Sequence, residues 1–142
     1  MDRPNGFELE QLRTVTQETR GNLIQDILGH PKMSPSFDEL NYMNPSKSRS
    51  TVRGHLEKLI NDGIVKKLIL TEDERQRDDP YIFFTLTEEG WELLKEHSLF
   101  VDEIDEIRSQ YEAVNKTEFI QSCEEAPRPS DVERILSHLD DL

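Results

Sequence analysis

Residues 48–69 change their hydrophobic period once, and that switch constrains the fold more than any other feature of the chain. Apolar residues fall at Val52, Leu56, Leu59 and Ile60, intervals of four, three and one, which puts them on one side of an α-helix and leaves the other side polar. Ser48 stands three residues before Thr51 as an N-cap hydroxyl, and Gly63, after Asn61 and Asp62, supplies a left-handed stop. The run IVKKLIL that follows is β-rich, and after the charged stretch TEDERQRDDP the run YIFFTLT repeats that character. The two predict an antiparallel hairpin with a long polar loop.

Two helices are expected upstream. TQETRGNLIQDILGH places Leu23, Ile24, Ile27 and Leu28 on one face, stopped by Gly29 and Pro31. In SFDELNYM, Ser36 and Glu39 form a capping box, with Phe37, Leu40 and Met43 facing inward. The first dozen residues, with Pro4 and Gly6, predict an irregular arm or a short helix. Downstream, Thr87 opens a helix in TEEGWELLKEH, its first-turn acids favoured by the helix dipole. Phe100, Ile104, Ile107, Tyr111 and Val114 then alternate at four and three, a heptad seam expected to hold a dimer partner. Pro127 and Pro129 break the tail, and Ser130, Glu133, Val132, Ile135, Leu136 and Leu139 predict a short capped final helix. Trp91, Leu94 and Phe100 read as core and dimer packing, with an effector pocket as the lesser alternative. The expected fold class is mainly α with a small β-hairpin wing. It divides into an arm (1–15), a winged helix-turn-helix domain (16–87) and a C-terminal helical dimerisation region (88–142).

The 142 residues suit one modest core with a terminal extension. Thirty acidic residues stand against 17 basic, a net charge of -13. A third of the residues are hydrophobic, so the acid coats a folded surface rather than a disordered tail. Such a surface fits a cytoplasm of multimolar salt, where the Debye length falls to about 3 Å and self-repulsion is screened. The single cysteine, Cys123, excludes an intramolecular disulfide; Glu124 and Glu125 beside it oppose thiolate formation. No apolar run approaches the length that crosses a membrane, and MDRPNGFELEQ lacks a signal-peptide core, so no membrane partner and a cytoplasmic location are expected. His30, His97 and His138 are scattered, and no nucleophile elbow, phosphate loop or paired-carboxylate site is present; no metal, cofactor or catalysis is expected.

Against that acidity, the stretch from Asn44 to Leu68 holds Lys47, Arg49, Arg53, Lys58, Lys66 and Lys67 against only Glu57 and Asp62, a local net charge of +4. A basic helix face beside an apolar one is what entry into a DNA major groove requires, and double-stranded DNA is the expected partner. Arg49 and Arg53, four apart, are candidates to fork onto guanine N7 and O6. Ser48, Ser50 and Thr51 lie near the helix start, where phosphate is favoured, and Lys47 and Lys58 are assigned to backbone. Gly54 sits mid-helix, and His55 divides between a phosphate contact and a structural role. Arg75 and Arg77 in the hairpin loop are candidates for the minor groove, against the alternative of an exposed salt-adapted loop.

The residues STVRGHLEKLINDGIV resemble the recognition-helix signature of winged-helix regulators of the ArsR, PadR and MarR types. Ser50, Thr51, Val52, His55, Leu56, Leu59, Gly63, Ile64 and Val65 occupy its places. The stretch TRGNLIQDILGHPKMSPSFDELNYMNPS and the tail EEAPRP look like small regulators of halophilic archaea, among them an oxidative-stress regulator. The resemblance implies operator binding by a homodimer joined through terminal helices. A homodimer reading a pseudo-palindrome in high salt, with cations drawn between phosphates and carboxylates, is therefore the expected function. A winged-helix protein-interaction module that never touches DNA is the alternative.

Overall fold

In the computed structural model, which describes residues 5–76 and 78–137, the switch at Gly63 is the hinge of the architecture. Helix α4 (Arg49–Asn61) ends in a Schellman motif: Ile64 N–H donates to Leu59 C=O at 2.9 Å and Gly63 N–H to Ile60 C=O at 3.0 Å. Gly63 takes the φ of +77° that this stop needs. The chain enters β1 (Val65–Ile69), which pairs antiparallel with β2 (Ile82–Leu86) in the register Val65 to Leu86 and Ile69 to Ile82. The loop before α3 (Phe37–Met43) adds a short bridge from Ser36 to Phe83, so the hairpin is stitched back to the helices.

Upstream lie α1 (Gly6–Thr16) and α2 (Glu18–Gly29). Downstream lie α5 (Glu88–Glu96), α6 (Ile104–Ala113), α7 (Glu118–Glu125) and α8 (Asp131–Ser137). Val15 of α1, the Leu23, Ile24, Ile27 and Leu28 face of α2, Val52, Leu56 and Leu59 of α4 and Trp91 and Leu94 of α5 form one buried core with β1 and β2. Leu68, Leu70, Phe83 and Val132 make a smaller cluster under the hairpin. This is a winged helix-turn-helix with C-terminal helices: α3 and α4 are the helix-turn-helix, and β1, β2 and their loop are the wing. The Ile135 and Leu136 side chains and Leu139 of the expected final stripe lie outside the described residues.

Two features of the C-terminal half go beyond what the sequence marks. Between α5 and α6, Ser98 and Phe100 adopt left-handed φ of 52° and 67° and turn the chain back. The Phe100 ring then lies against Gly21 of α2. As a result the heptad seam faces its own chain. Ile107 and Tyr111 are buried at 7% and 4% exposure, Phe100 and Ile104 pack on the core, and Val114 alone stays exposed. Within the chain the apolar spacing serves as a docking stripe for α2, and Gly29 marks the crossing, where a Cβ would stand 2.8 Å from Tyr111 Cβ. The second feature is α7, which sequence periodicity did not mark and which buries only Ile120 and Cys123.

The C-terminal segment is strapped to the start of α3 by a buried polar network. Ser36 and Glu39 form the expected capping box, Ser36 N–H donating to Glu39 Oε2 at 2.7 Å. Glu39 is fully buried and also accepts from His30 Nε2 at 2.7 Å and Arg128 Nη2 at 3.0 Å. Lys32 N–H donates to His30 Nδ1, which fixes the proton on Nε2 and makes the ring neutral. Burial lowers the His30 pKa in the same sense. Burial alone would raise that of Glu39, but its bonds to His30 and Ser36 and the Arg128 charge hold it below the usual range. Arg128 further donates to Ser34, Cys123 and Ala126 carbonyls and lies 4.1 Å from the Phe83 ring centroid.

Candidate nucleic-acid interface

Ser48 caps α4 through its hydroxyl, which accepts Thr51 N–H at 3.1 Å and reaches Thr51 Oγ1 at 2.8 Å and Ser50 Oγ at 3.2 Å. The three hydroxyls and Lys47 form an exposed rim at the positive end of the helix dipole. Val52, Leu56 and Leu59 turn the opposite face into the core, so the exposure of Arg49, Ser50, Thr51, Arg53 and Gly54 follows from the helical period. A Cβ at Gly54 would meet nothing within 4 Å. That backbone is open to solvent, and packing does not demand glycine there.

Arg49 and Arg53 stand over the same aromatic ring. Their guanidinium carbons lie 4.9 and 4.8 Å from the Phe37 centroid, within the cation–π range. Arg49 also pairs with Asp38 at 3.1 Å, yet its side chain stays 63% exposed. The first residues of α3 thus aim the two arginines of α4 while leaving them in water. Sequence spacing assigned Phe37 only an inward role and Asp38 none.

The remaining candidates are placed differently. His55 is half-buried, its Nδ1 accepting from Arg20 Nη1 at 3.1 Å. Burial, then the Arg20 and Lys47 charges, lower its pKa, so the ring offers a neutral N–H rather than a cation. Lys58 does not present a free charge, because its ammonium is bound by Glu10 of α1 at 2.9 Å and Asp62 at 3.2 Å. At 100° per residue it also points about 140° from Arg53 around the helix. Arg75 sits on the wing, 3.9 Å from the Tyr81 ring centroid, with Nε donating to Leu70 C=O at 3.1 Å. The acids Glu72, Asp73 and Glu74 beside it fold into a 3-10 turn closed by Thr71 and Glu74. Arg77 lies outside the described residues.

Behind this surface, Asp26 of α2 accepts from Asn44 Nδ2 at 2.8 Å, in a cleft of about 240 Å³ shared with Asn22, Gln25 and Tyr111. Burial pushes its carboxyl up to about 7, eased by the Asn44 bond. Trp91 and Leu94 are buried in the core, and Phe100 packs against it. Cys123 is fully buried and its thiol is pushed up to about 11, by burial first and then by Glu39 and Asp38 rather than by the adjacent Glu124 and Glu125.

A solved structure of a protein with a GntR-superfamily winged-helix-turn-helix domain, from Halomicrobium mukohataei, is 34% identical to the chain. The match covers 94% of this chain and 96% of that one, with a TM-score of 0.79. The chain belongs to the GntR-superfamily winged-helix-turn-helix proteins. The likeness bears on the winged helix that superfamily shares with the ArsR, PadR and MarR types, not on those types themselves. No protein-family model and no curated protein matches the sequence. This GntR-superfamily chain spans nearly the whole of its structural relative. Among the described residues no helix is long and apolar enough to cross a membrane.

Proposed function

We propose that the chain is a sequence-specific, DNA-binding transcription regulator that reads a pseudo-palindromic operator as a homodimer in high salt, in the service of a stress response. The observation that carries this reading is the pair Arg49 and Arg53, exposed on one flank of α4 and propped on Phe37, inside a basic stretch of a chain whose net charge is -13. In this reading α4 enters the major groove. Arg49 and Arg53 contact guanine edges, Lys47, Ser48, Ser50 and Thr51 hold phosphate, Gly54 lets the helix backbone come close, and Arg75 and Arg77 approach the minor groove. His55 holds α4 to Arg20 of α2, and Lys58 ties α4 to α1. Two copies place their α4 helices about one DNA turn apart. Exposed apolar side chains available to a second copy include Phe7 and Leu9 of α1, 55% and 42% exposed, Val114 at the end of α6, 39% exposed, and Phe119 of α7, 55% exposed. The origin of the structural relative in a halophilic archaeon agrees with the acidic surface.

The test is fluorescence anisotropy on operator fragments recovered by chromatin pull-down, in 2 M KCl. Arg49→Ala and Arg53→Ala each lower specific affinity about tenfold or more, at about 1 to 3 kcal/mol per bidentate contact. Light scattering reads a dimer mass. Unchanged affinity in the double variant, with the fold intact by circular dichroism, removes the DNA-reading role of α4.

A further inference from the structure

The fold brings together three side chains that the sequence leaves 88 positions apart. Glu8 of α1 meets Glu96, the last residue of α5, and His97, which caps it. Glu8 Oε1 lies 2.9 Å from His97 Nε2, and one donor atom from each of the three lies within 4.8 Å of the other two. We propose that Glu8, Glu96 and His97 form a binding site for a first-row divalent cation of the Zn²⁺ class, which staples α1 to the end of α5.

Three observations converge on a cation. First, the donor set is two carboxylates and one imidazole, hard and borderline ligands that suit Zn²⁺ and its neighbours and leave coordination positions for water. Second, the Glu8 carboxylate has only the His97 ring as a side-chain partner among the described residues, and no lysine or arginine pairs with Glu8 or Glu96, whose donor oxygens lie within 4.8 Å of each other. Glu96 makes no side-chain hydrogen bond or ion pair among the described residues, whereas nearby Glu92 is paired with Lys95 and Glu89 accepts from Gln11. A divalent ion that takes the place of the Nε2 proton, which is released to water, balances both carboxylates where one imidazolium balances a single one. Third, the site stands at the carbonyl end of α5, where the helix dipole adds negative potential.

Bound donors at about 2.0 to 2.2 Å from one ion sit roughly 3 to 3.6 Å apart. Glu8 and His97, 2.9 Å apart, stand close to that spacing, and Glu96, exposed at a helix end with its donor oxygen within 4.8 Å of both, has to move inward to join them. The backbone is held meanwhile, since Gln11, one turn on from Glu8, donates to Asp62 C=O at 3.0 Å and to Glu89 at 3.1 Å. No ligand spacing within the sequence marks this site, because α1 and α5 meet only in the folded chain.

The test is a titration of Zn²⁺ alone into the metal-free full-length protein in 2 M KCl with excess Mg²⁺, which masks diffuse binding to the acidic surface. Calorimetry reads one ion per chain. At a Zn²⁺ concentration 100 times Kd the unfolding constant falls about 100-fold. Ring-¹⁵N spectra report which of the four histidines takes the ion. The expected result is a shift of the His97 ring alone, assigned with His97→Gln, and at least tenfold weaker binding in Glu96→Gln, while Glu92→Gln leaves it unchanged. A shift of another histidine, no ring shift, or equal losses in Glu96→Gln and Glu92→Gln overturns the site. The ring spectra use the unmodified chain, so they decide between these outcomes even if a variant fails to fold.

Discussion

Gly54→Ala separates what α4 does for the fold from what it does at its surface. Glycine inside a helix costs about 0.8 to 1.0 kcal/mol relative to alanine, through backbone entropy in the unfolded chain. That cost is recoverable only where the methyl group has room, and at Gly54 a Cβ meets nothing within 4 Å. The variant is therefore expected to be more stable by about 1 kcal/mol, a roughly fivefold shift in the folding equilibrium and about 3 °C in Tm for a chain of this size. Urea unfolding followed by circular dichroism in 2 M KCl measures it. If α4 also presses its middle against the groove floor, the same methyl group weakens operator binding, so stability and affinity move in opposite directions. A loss of stability would refute the packing argument, and a gain of stability with unchanged affinity would refute the close approach.

Gly29→Ala should do the reverse, because its Cβ would stand 2.8 Å from Tyr111 Cβ and 3.2 Å from Ile107 C=O, forcing α2 and α6 apart. Overpacking of this kind costs about 1 to 3 kcal/mol, and a neutral result in urea unfolding would show that the crossing can relax. Asp26→Asn keeps an acceptor for Asn44 while removing a carboxyl raised by burial from 3.8 to about 7. A carboxyl raised in the fold contributes fully below its unfolded value and loses that contribution as pH rises through its folded one, so the variant gains most over the parent at about pH 8.5 and least at about pH 4. Equal gains at both values would refute the assignment. Asp38→Asn frees Arg49 from a pair whose partners are 63% and 39% exposed, worth at most about 1 kcal/mol. Operator affinity should rise up to about fivefold in 0.3 M KCl and not at all in 3 M, where the pair is screened; an equal rise at both salts would count against an electrostatic origin.

Much of the helix-turn-helix was legible because its determinants are local. The Ser36 and Glu39 box, the Ser48 cap, the Gly63 stop and the change of period to β1 each lie within a few residues of the element they define, and each formed as expected. What periodicity does not supply is the surface that an apolar stripe meets. A stripe at four and three says only that one helix face is apolar, and whether it meets its own chain or another depends on where the connection turns. Here the turn uses left-handed Ser98 and Phe100, neither of which advertises that conformation as glycine would. The α7 helix was missed for the opposite reason: with two buried residues its apolar stripe is too narrow to register, and Arg128, anchored by residues about 90 positions away, supplies the fixing that periodicity would otherwise reveal.

At the interface the same division holds. Which residues of α4 face water follows from the helical period, so Arg49, Ser50, Thr51, Arg53 and Gly54 could be named from the sequence. How they are held could not, because Phe37, Asp38, Arg20 and Glu10 belong to other helices. Those four contacts sort the basic residues of α4 into two kinds. Lys58 is neutralised by acids and secures α1, whereas Arg49 and Arg53 share an aromatic face, which orients a guanidinium without cancelling its charge, and Arg49 adds an exposed pair with Asp38. In multimolar salt a weak exposed ion pair orients poorly, whereas a guanidinium in contact with a ring keeps its apolar stacking as well as its electrostatic attraction. In the high-salt setting proposed for this chain, two outward-aimed arginines are therefore better served by Phe37 than by another carboxylate.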